Sequence, residues 1–366
     1  MSLRPTWIEI DLGALRHNIR VARRLAGART RLYAVCKGDA YGCGVVPVAE
    51  VAAAEGCDAI AVGDPGDAIR IRDAGVRLPM LAYGTTDPAA AGEMVRIGLT
   101  VTVHDEPGIA AYAGCGRRVS AFAELDCGFG RLGFTTRDWT TALAHIAAAG
   151  NISLVGLYTH LGAVDDPAAV ARQVEAFRRA VAEAEAAGFT GLERMVASSR
   201  VMIDHPGLAF DAVNPGRLIY GLLEGRHAET SGVRPVIARV VSRVIQVKDL
   251  PPGERLGYGA IGGDKVIRAA VAPIGFAGGL PRKFDGGVAL VRGRRAPILG
   301  LASMEHLLLD VGGCPGTEVG DEVVLLGPQG GDTVTAAEIS RATGIEPLEF
   351  LPRLARNLTR RYVDVA

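Results

Sequence analysis

The chain has 366 residues, room for a barrel with an appended domain or for two domains, and its 49% hydrophobic and 22% charged residues exclude disorder as the main state. Forty Lys and Arg balance forty Asp and Glu, so the basic footprint of a nucleic-acid binder is missing. Glycine, at 48 residues, is about 13% of the chain, roughly twice the usual share, which points to many tight turns and to loops where backbone approaches a ligand.

The opening MSLRPTWIEIDLG lacks the apolar stretch of a secretory leader, and nothing later reaches about 18 uncharged apolar residues. A cytoplasmic protein without a membrane span is expected. Trp7 to Leu12 alternates as an edge strand would. Eight short apolar runs follow: Arg31 to Cys36, Ala59 to Val62, Pro79 to Tyr83, Thr100 to Val103, Val119 to Leu125, Ser153 to Tyr158, Met195 to Ala197, and one near Ala212 and Val213. Their near-continuous apolarity suits parallel strands covered on both faces. Helix signals separate them, most clearly Asp166 as N-cap, Pro167 at the first helical position and Gly188 past the end. Alternating units of this kind predict a (β/α)8 barrel of TIM type, with a doubly wound open sheet as the rival.

After the polar stretch Glu224 to Pro235 the pattern changes. Arg234 to Val247, Lys265 to Ile274, Val288 to Val291, Ala296 to Leu301, Leu307 to Val311 and Glu322 to Leu326 read as strands between Gly and Pro turns. The expected division is an α/β barrel over residues 12–228 and a mainly β domain made of 1–11 and 229–366. Six cysteines lie scattered without a CxxC pair or a nearby His cluster, so neither a disulfide framework nor a metal site is expected.

Barrel sites lie where strands end and βα loops begin. There the chain places Lys37 and Tyr41 after the first strand, Arg131 after the fifth, His160 after the sixth, Ser199 after the seventh, and Asn214, Gly216 and Arg217 after the eighth. Singly, each has a bland reading as a solvated surface residue, a turn residue or a satisfied core side chain. Together they read as chemistry: a lysine leaving a buried strand suits a Schiff base, an arginine holds a carboxylate bidentately, and hydroxyls with glycine amides suit a phosphate. Lysine plus phosphate site points to pyridoxal phosphate.

The ordered set IEIDLGALRHNI, AVCKGDAYGCG, DCGFGRLGF, GLYTH, NPGRLIYG, LGYG and PIGFAGGLPR resembles the alanine racemase family over nearly the whole length. The resemblance implies a homodimeric pyridoxal-phosphate enzyme with a barrel and a C-terminal β domain, acting on a free amino acid. It implies Lys37 as Schiff-base lysine and base on one face of the substrate Cα. Tyr258 is then the base on the other face, hydrogen-bonded by His160. Tyr258 and Met304 reach the partner's active site. Lys and Tyr have reference pKa values of about 10.4 and 10, so desolvation and nearby positive charge must lower them. Arg131, with the Met304 amide nearby, holds the substrate carboxylate; Tyr41, Ser199, Gly216 and the Arg217 amide hold the phosphate.

Several positions depart from the family pattern. Glu124 stands where a carbamate-bearing lysine is usual, and is expected to orient Arg131 as a permanent anion. Asn214 replaces the arginine that faces the pyridine nitrogen, and an amide can donate to that nitrogen or accept from it. At the entrance stand Phe276, Gly278, Leu301 and Glu305, and Arg356 takes the place of a phosphate-contacting tyrosine. So many changes in one shell point to a substrate other than alanine. The leading function is an amino-acid racemase or epimerase; the alternatives are a lyase of aldolase type on the same fold and a non-catalytic pyridoxal-phosphate-binding protein.

Overall fold

The computed structural model describes residues 3–84, 87–258 and 262–364. Eight parallel strands lie side by side in the order Met80–Ala82, Ala59–Val62, Arg31–Val35, Ala212–Val213, Glu193–Ala197, Ile152–Thr159, Val119–Asp126, Val101–Val103. A parallel bridge between Leu81 and Thr100 joins the two ends of that row. Ring closure decides for the barrel against the doubly wound sheet. All eight expected runs form barrel strands. Their apolarity follows from burial on both faces: each residue of Ala59–Val62, for example, is buried.

Helix starts on the barrel repeat one device. Asp64, Asp105 and Asp166 cap helices by accepting backbone N–H bonds from Gly66, Gly108 and Ala168, with proline in the first turn. The predicted helix after Asp166 runs Pro167–Ala186, and Gly188 follows at φ 94°. Asp126, at the end of its strand, accepts instead from the amides of Gly128, Phe129 and Gly130 at 2.9, 2.9 and 3.0 Å. One carboxylate oxygen thus folds the following loop around itself.

Contacts divide the chain into a barrel unit, Leu15–Ala40 with Val45–Arg234, and a β unit formed by the segments before Leu15, by Tyr41–Gly44 and from Pro235 onward. The β unit's sheet runs Gln246–Leu250, Ile267–Ala272, Leu307–Asp310, Arg294–Leu299, Val288–Val291, Glu322–Gln329, Ile237–Arg243, Trp7–Asp11, Thr359–Val363. Trp7–Asp11 belongs to this sheet but is not its edge. It pairs antiparallel with Ile237–Arg243 on one side and parallel with Thr359–Val363 on the other. Arg361 and Arg243 lie 3.8 and 5.7 Å from the Trp7 ring centroid, so cation–π contacts bind the first strand to both neighbours. The long run Arg234 to Val247 contains the strand Ile237–Arg243 and the start of Gln246–Leu250. Two helices not anticipated from sequence, Ala336–Thr343 and Pro347–Asn357, also belong here, the first with a Thr335/Glu338 capping box.

Among the described residues no helix is long and apolar enough to cross a membrane. Gly156 shows how tightly the barrel is filled: a Cβ there would stand 2.2 Å from Phe122 Cε1 and 2.6 Å from the Glu193 carbonyl oxygen. Gly156→Ala is expected to lower stability by about 1–3 kcal/mol through overpacking, read as a fall in the urea midpoint; an unchanged midpoint would show that the strands relax freely.

Candidate active site

The first barrel strand ends at Val35, and the chain then turns left-handed. Gly38, Asp39, Ala40 and Tyr41 have φ of 64°, 57°, 55° and 54°. L residues there cost about 1–2 kcal/mol each, and only the first of the four is glycine. Asp39 anchors the turn. Its Oδ1 accepts from the Val45 amide and from Arg70, both at 2.9 Å, while its own N–H donates to Asp67 at 3.2 Å.

Lys37 opens this turn with its stem against Gly63, where a Cβ would lie 3.2 Å from Lys37 Cβ. Burial, then the charge of Arg131, pushes the Lys37 amine below the ordinary lysine range. Burial, with Arg131 and Lys37, also takes the His160 imidazole down to about 4. The three side chains therefore share one electrostatic neighbourhood at the strand ends. With that pKa, His160 is uncharged at neutral pH.

Arg131 lies over the Phe129 ring, its Cζ 4.7 Å from the centroid, and Phe129 meets His160 edge-on at 4.8 Å and 81°. Glu124 is buried but does not grip Arg131. Its carboxylate accepts from Tyr158 Oη at 2.8 Å, and that hydroxyl also reaches Thr102 Oγ1 at 3.2 Å. Burial raises the Glu124 carboxyl above its usual range, opposed by the Tyr158 bond and by the more distant charges of Arg131 and His104. Glu124 therefore acts on Arg131 only as a nearby charge.

Ser199, buried at the start of Ser199–Asp204, accepts the Leu218 N–H at 3.0 Å. Its own proton is left to donate. Asn214 follows the eighth strand, and its Nδ2 donates to Tyr83 Oη at 3.1 Å. The Asn214 Oδ1 is buried without a partner among the described residues, so the amide presents an acceptor. Gly216 is buried beside it, and the Arg217 guanidinium lies 3.6 Å from Glu224. A half-desolvated primary amine, a hydroxyl with a spare proton and an orphaned buried acceptor fit an electrophilic, phosphate-bearing heteroaromatic cofactor that carries an N–H.

In the β unit, Tyr41 shares its segment with Gly42, where a Cβ would lie 2.5 Å from the Pro352 carbonyl oxygen, and with Cys43, whose carbonyl accepts from Tyr362 Oη at 3.1 Å. Arg356 is exposed near the end of Pro347–Asn357. Tyr258 bridges to Leu301, and the Phe276 and Ala277 amides donate to the Ser303 and Met304 carbonyls, both at 3.0 Å. These contacts gather the expected entrance residues. Tyr258 and Met304 are 62% and 60% exposed in the single chain. Glu305 pairs with Arg4 at 3.3 Å. Among the described residues no group of three or more His, Cys, Asp or Glu is placed to hold a metal ion.

Sequence reasoning missed Tyr83, Tyr158, Thr102 and Phe129. Tyr83 and Tyr158 each close an apolar run at a strand's carboxyl end, a position that was itself the available signal.

The family model "Alanine racemase, N-terminal domain" matches residues 10–224, and "Alanine racemase, C-terminal domain" matches 237–362. The chain is 35% identical to the alanine racemase of Sorangium cellulosum (strain So ce56), over 98% of this chain and 99% of that protein. Among solved structures it is similar to the alanine racemase from D-cycloserine-producing Streptomyces lavendulae (28% identity, TM-score 0.91, covering 100% and 99% of the two chains). It is also similar to that of Streptomyces coelicolor A3(2) (29%, TM-score 0.90, 99% and 98%). The chain belongs to the alanine racemase family and is an isomerase of the racemase type.

Proposed function

We propose that the protein binds pyridoxal phosphate and interconverts the L- and D-forms of a free amino acid by two-base proton transfer at Cα. The observation that carries this reading is Lys37 at the end of the first barrel strand, its stem against Gly63 and its amine pushed below the ordinary lysine range by desolvation and by the charge of Arg131. Bound pyridoxal phosphate supplies the electron sink that stabilises negative charge at the substrate Cα. Lys37 holds the cofactor and moves a proton on one face; Tyr258 does so on the other. Arg131 binds the substrate carboxylate. Ser199, Tyr41, Gly216 and the Arg217 amide hold the phosphate, with Arg356 adding charge, and Asn214 Oδ1 accepts from the pyridine nitrogen.

The exposure of Tyr258 and Met304 supports a homodimer in which each copy lends these residues to the other's strand ends. Phe276, Gly278 and Leu301 at the entrance support a substrate with a side chain other than the alanine methyl. Proton exchange at Cα in deuterium oxide, followed by NMR over a panel of L-amino acids, tests the reaction. One amino acid should exchange with its D-form accumulating, and Lys37→Ala should slow exchange by about 10²–10⁴-fold. Substrate loss without the D-form would favour the lyase; a bound cofactor with no exchange would favour the carrier.

Shared sites make a second prediction. Lys37→Ala and Tyr258→Phe chains, each inactive alone, should regain racemisation when mixed under conditions that exchange subunits. Continued inactivity of mixed dimers would remove the shared-site arrangement.

His160 gives a pH dependence. Its folded pKa of about 4 lies below the ordinary value of 6.5, so in that window the unfolded chain binds the proton that the folded chain refuses. Stability is then lost as pH falls from about 6.5 toward 4. His160→Gln should shed less stability than the native chain over that interval, measured by urea midpoints. Parallel losses would show that the imidazole takes up its proton normally when folded.

A further inference from the structure

The arginine read as the carboxylate anchor has an unusual support. Among the described residues Arg131 forms no hydrogen bond or ion pair, and the buried carboxylate nearest in role, Glu124, is committed to Tyr158. What touches the guanidinium is an aromatic face. Phe129 lies under Arg131 at 4.7 Å and abuts His160 at 4.8 Å and 81°. Resting on the reading of Arg131 given above, we propose that Phe129 is the positioning residue of the site. Its ring, set between the His160 imidazole and the Arg131 guanidinium, holds the arginine ready for the substrate carboxylate without an acidic partner.

The loop is built to present that ring. Asp126 accepts from three successive amides, including that of Phe129 itself. Gln173 Nε2 donates to the Gly128 carbonyl at 3.0 Å, from the helix Pro167–Ala186. Gly128 has φ 119°, a backbone that L side chains avoid, and a Cβ at Gly162 would stand 3.0 Å from Phe129 Cδ2. Glycine at 162 thus leaves the space into which the phenyl ring lies. An aromatic pair prefers this edge-on arrangement, because the positive ring edge meets a negative face. The opposite requirement, a negative face toward a cation, is met at Arg131.

An aromatic support differs chemically from an acidic one. A carboxylate paired to Arg131 would occupy the donors that the substrate needs, and would have to be displaced. A ring face attracts the cation while leaving the planar N–H fork free for bidentate binding. Phe129 therefore fixes the arginine's place without competing for its hydrogen bonds.

The test uses the cofactor-loaded protein and propionate, a bare carboxylate, as probe. Dissociation constants come from calorimetry, and the His160 pKa from NMR of the imidazole. Phe129→Leu keeps an apolar side chain but removes the quadrupole. It should weaken propionate about tenfold, the combined scale of one cation–π and one aromatic contact, and raise the His160 pKa toward 6.5. Phe129→Tyr should restore both. If either quantity is unmoved in Phe129→Leu, or if Phe129→Tyr behaves like Phe129→Leu, the positioning role is overturned. Arg131→Gln separates the two levels. Propionate bound equally well by Arg131→Gln, or not at all by the native protein, would sink the carboxylate reading itself. Loss in Arg131→Gln with none in Phe129→Leu would sink only the role of Phe129.

Discussion

A lysine amine partly desolvated beside a guanidinium is pushed below its ordinary pKa, and this one electrostatic constraint bears on the whole barrel mouth. Water stabilises an ammonium far better than a barrel interior does, and Arg131 adds like-charge repulsion. An uncharged amine is what a nucleophile and a base both require. Burial first, then Arg131 and Lys37, lowers the His160 imidazole to about 4. The lysine and the histidine are thus lowered together, by burial and by the charge of Arg131.

Holding a lysine there requires backbone that most sequences avoid. Four successive residues after Lys37 have left-handed φ, three of them bearing side chains, at a cost of about 1–2 kcal/mol each. The compensation is local and polar: Asp39 ties the turn to the Val45 amide, to Arg70 and to Asp67. Strain of this kind persists only where surrounding contacts over-determine it. The bonds at Asp39 are those contacts, so the geometry of Lys37 is set by a carboxylate two residues away.

The barrel was legible in the sequence because its strands are buried on both faces, and such strands appear as continuous apolar runs whose carboxyl ends locate the site. Lys37, Arg131, His160, Ser199 and Asn214 could be picked out for that reason alone. Contacts between distant loops carry no such mark. That Glu124 turns to Tyr158, and that Asn214 donates to Tyr83, depends on partners 34 and 131 residues away. The place of Trp7–Asp11 inside its sheet depends likewise on Thr359–Val363, a strand that carries two adjacent arginines and no strong apolar pattern.

Glu124 and Asn214 are served by two tyrosines whose rings meet. Tyr158 donates to Glu124, Asn214 donates to Tyr83, and the Tyr83 and Tyr158 rings meet at 5.8 Å and 69°. A buried carboxylate needs a donor, and Tyr158 provides one without drawing on Arg131. A buried amide has two donors and one acceptor to satisfy, and Tyr83 takes from the donor end. What remains, among the described residues, is an arginine without a hydrogen-bond partner and a buried amide oxygen with none of its capacity used. The tyrosines thus decide what each residue presents: Glu124 is satisfied without Arg131, and Asn214 is left with its acceptor unused.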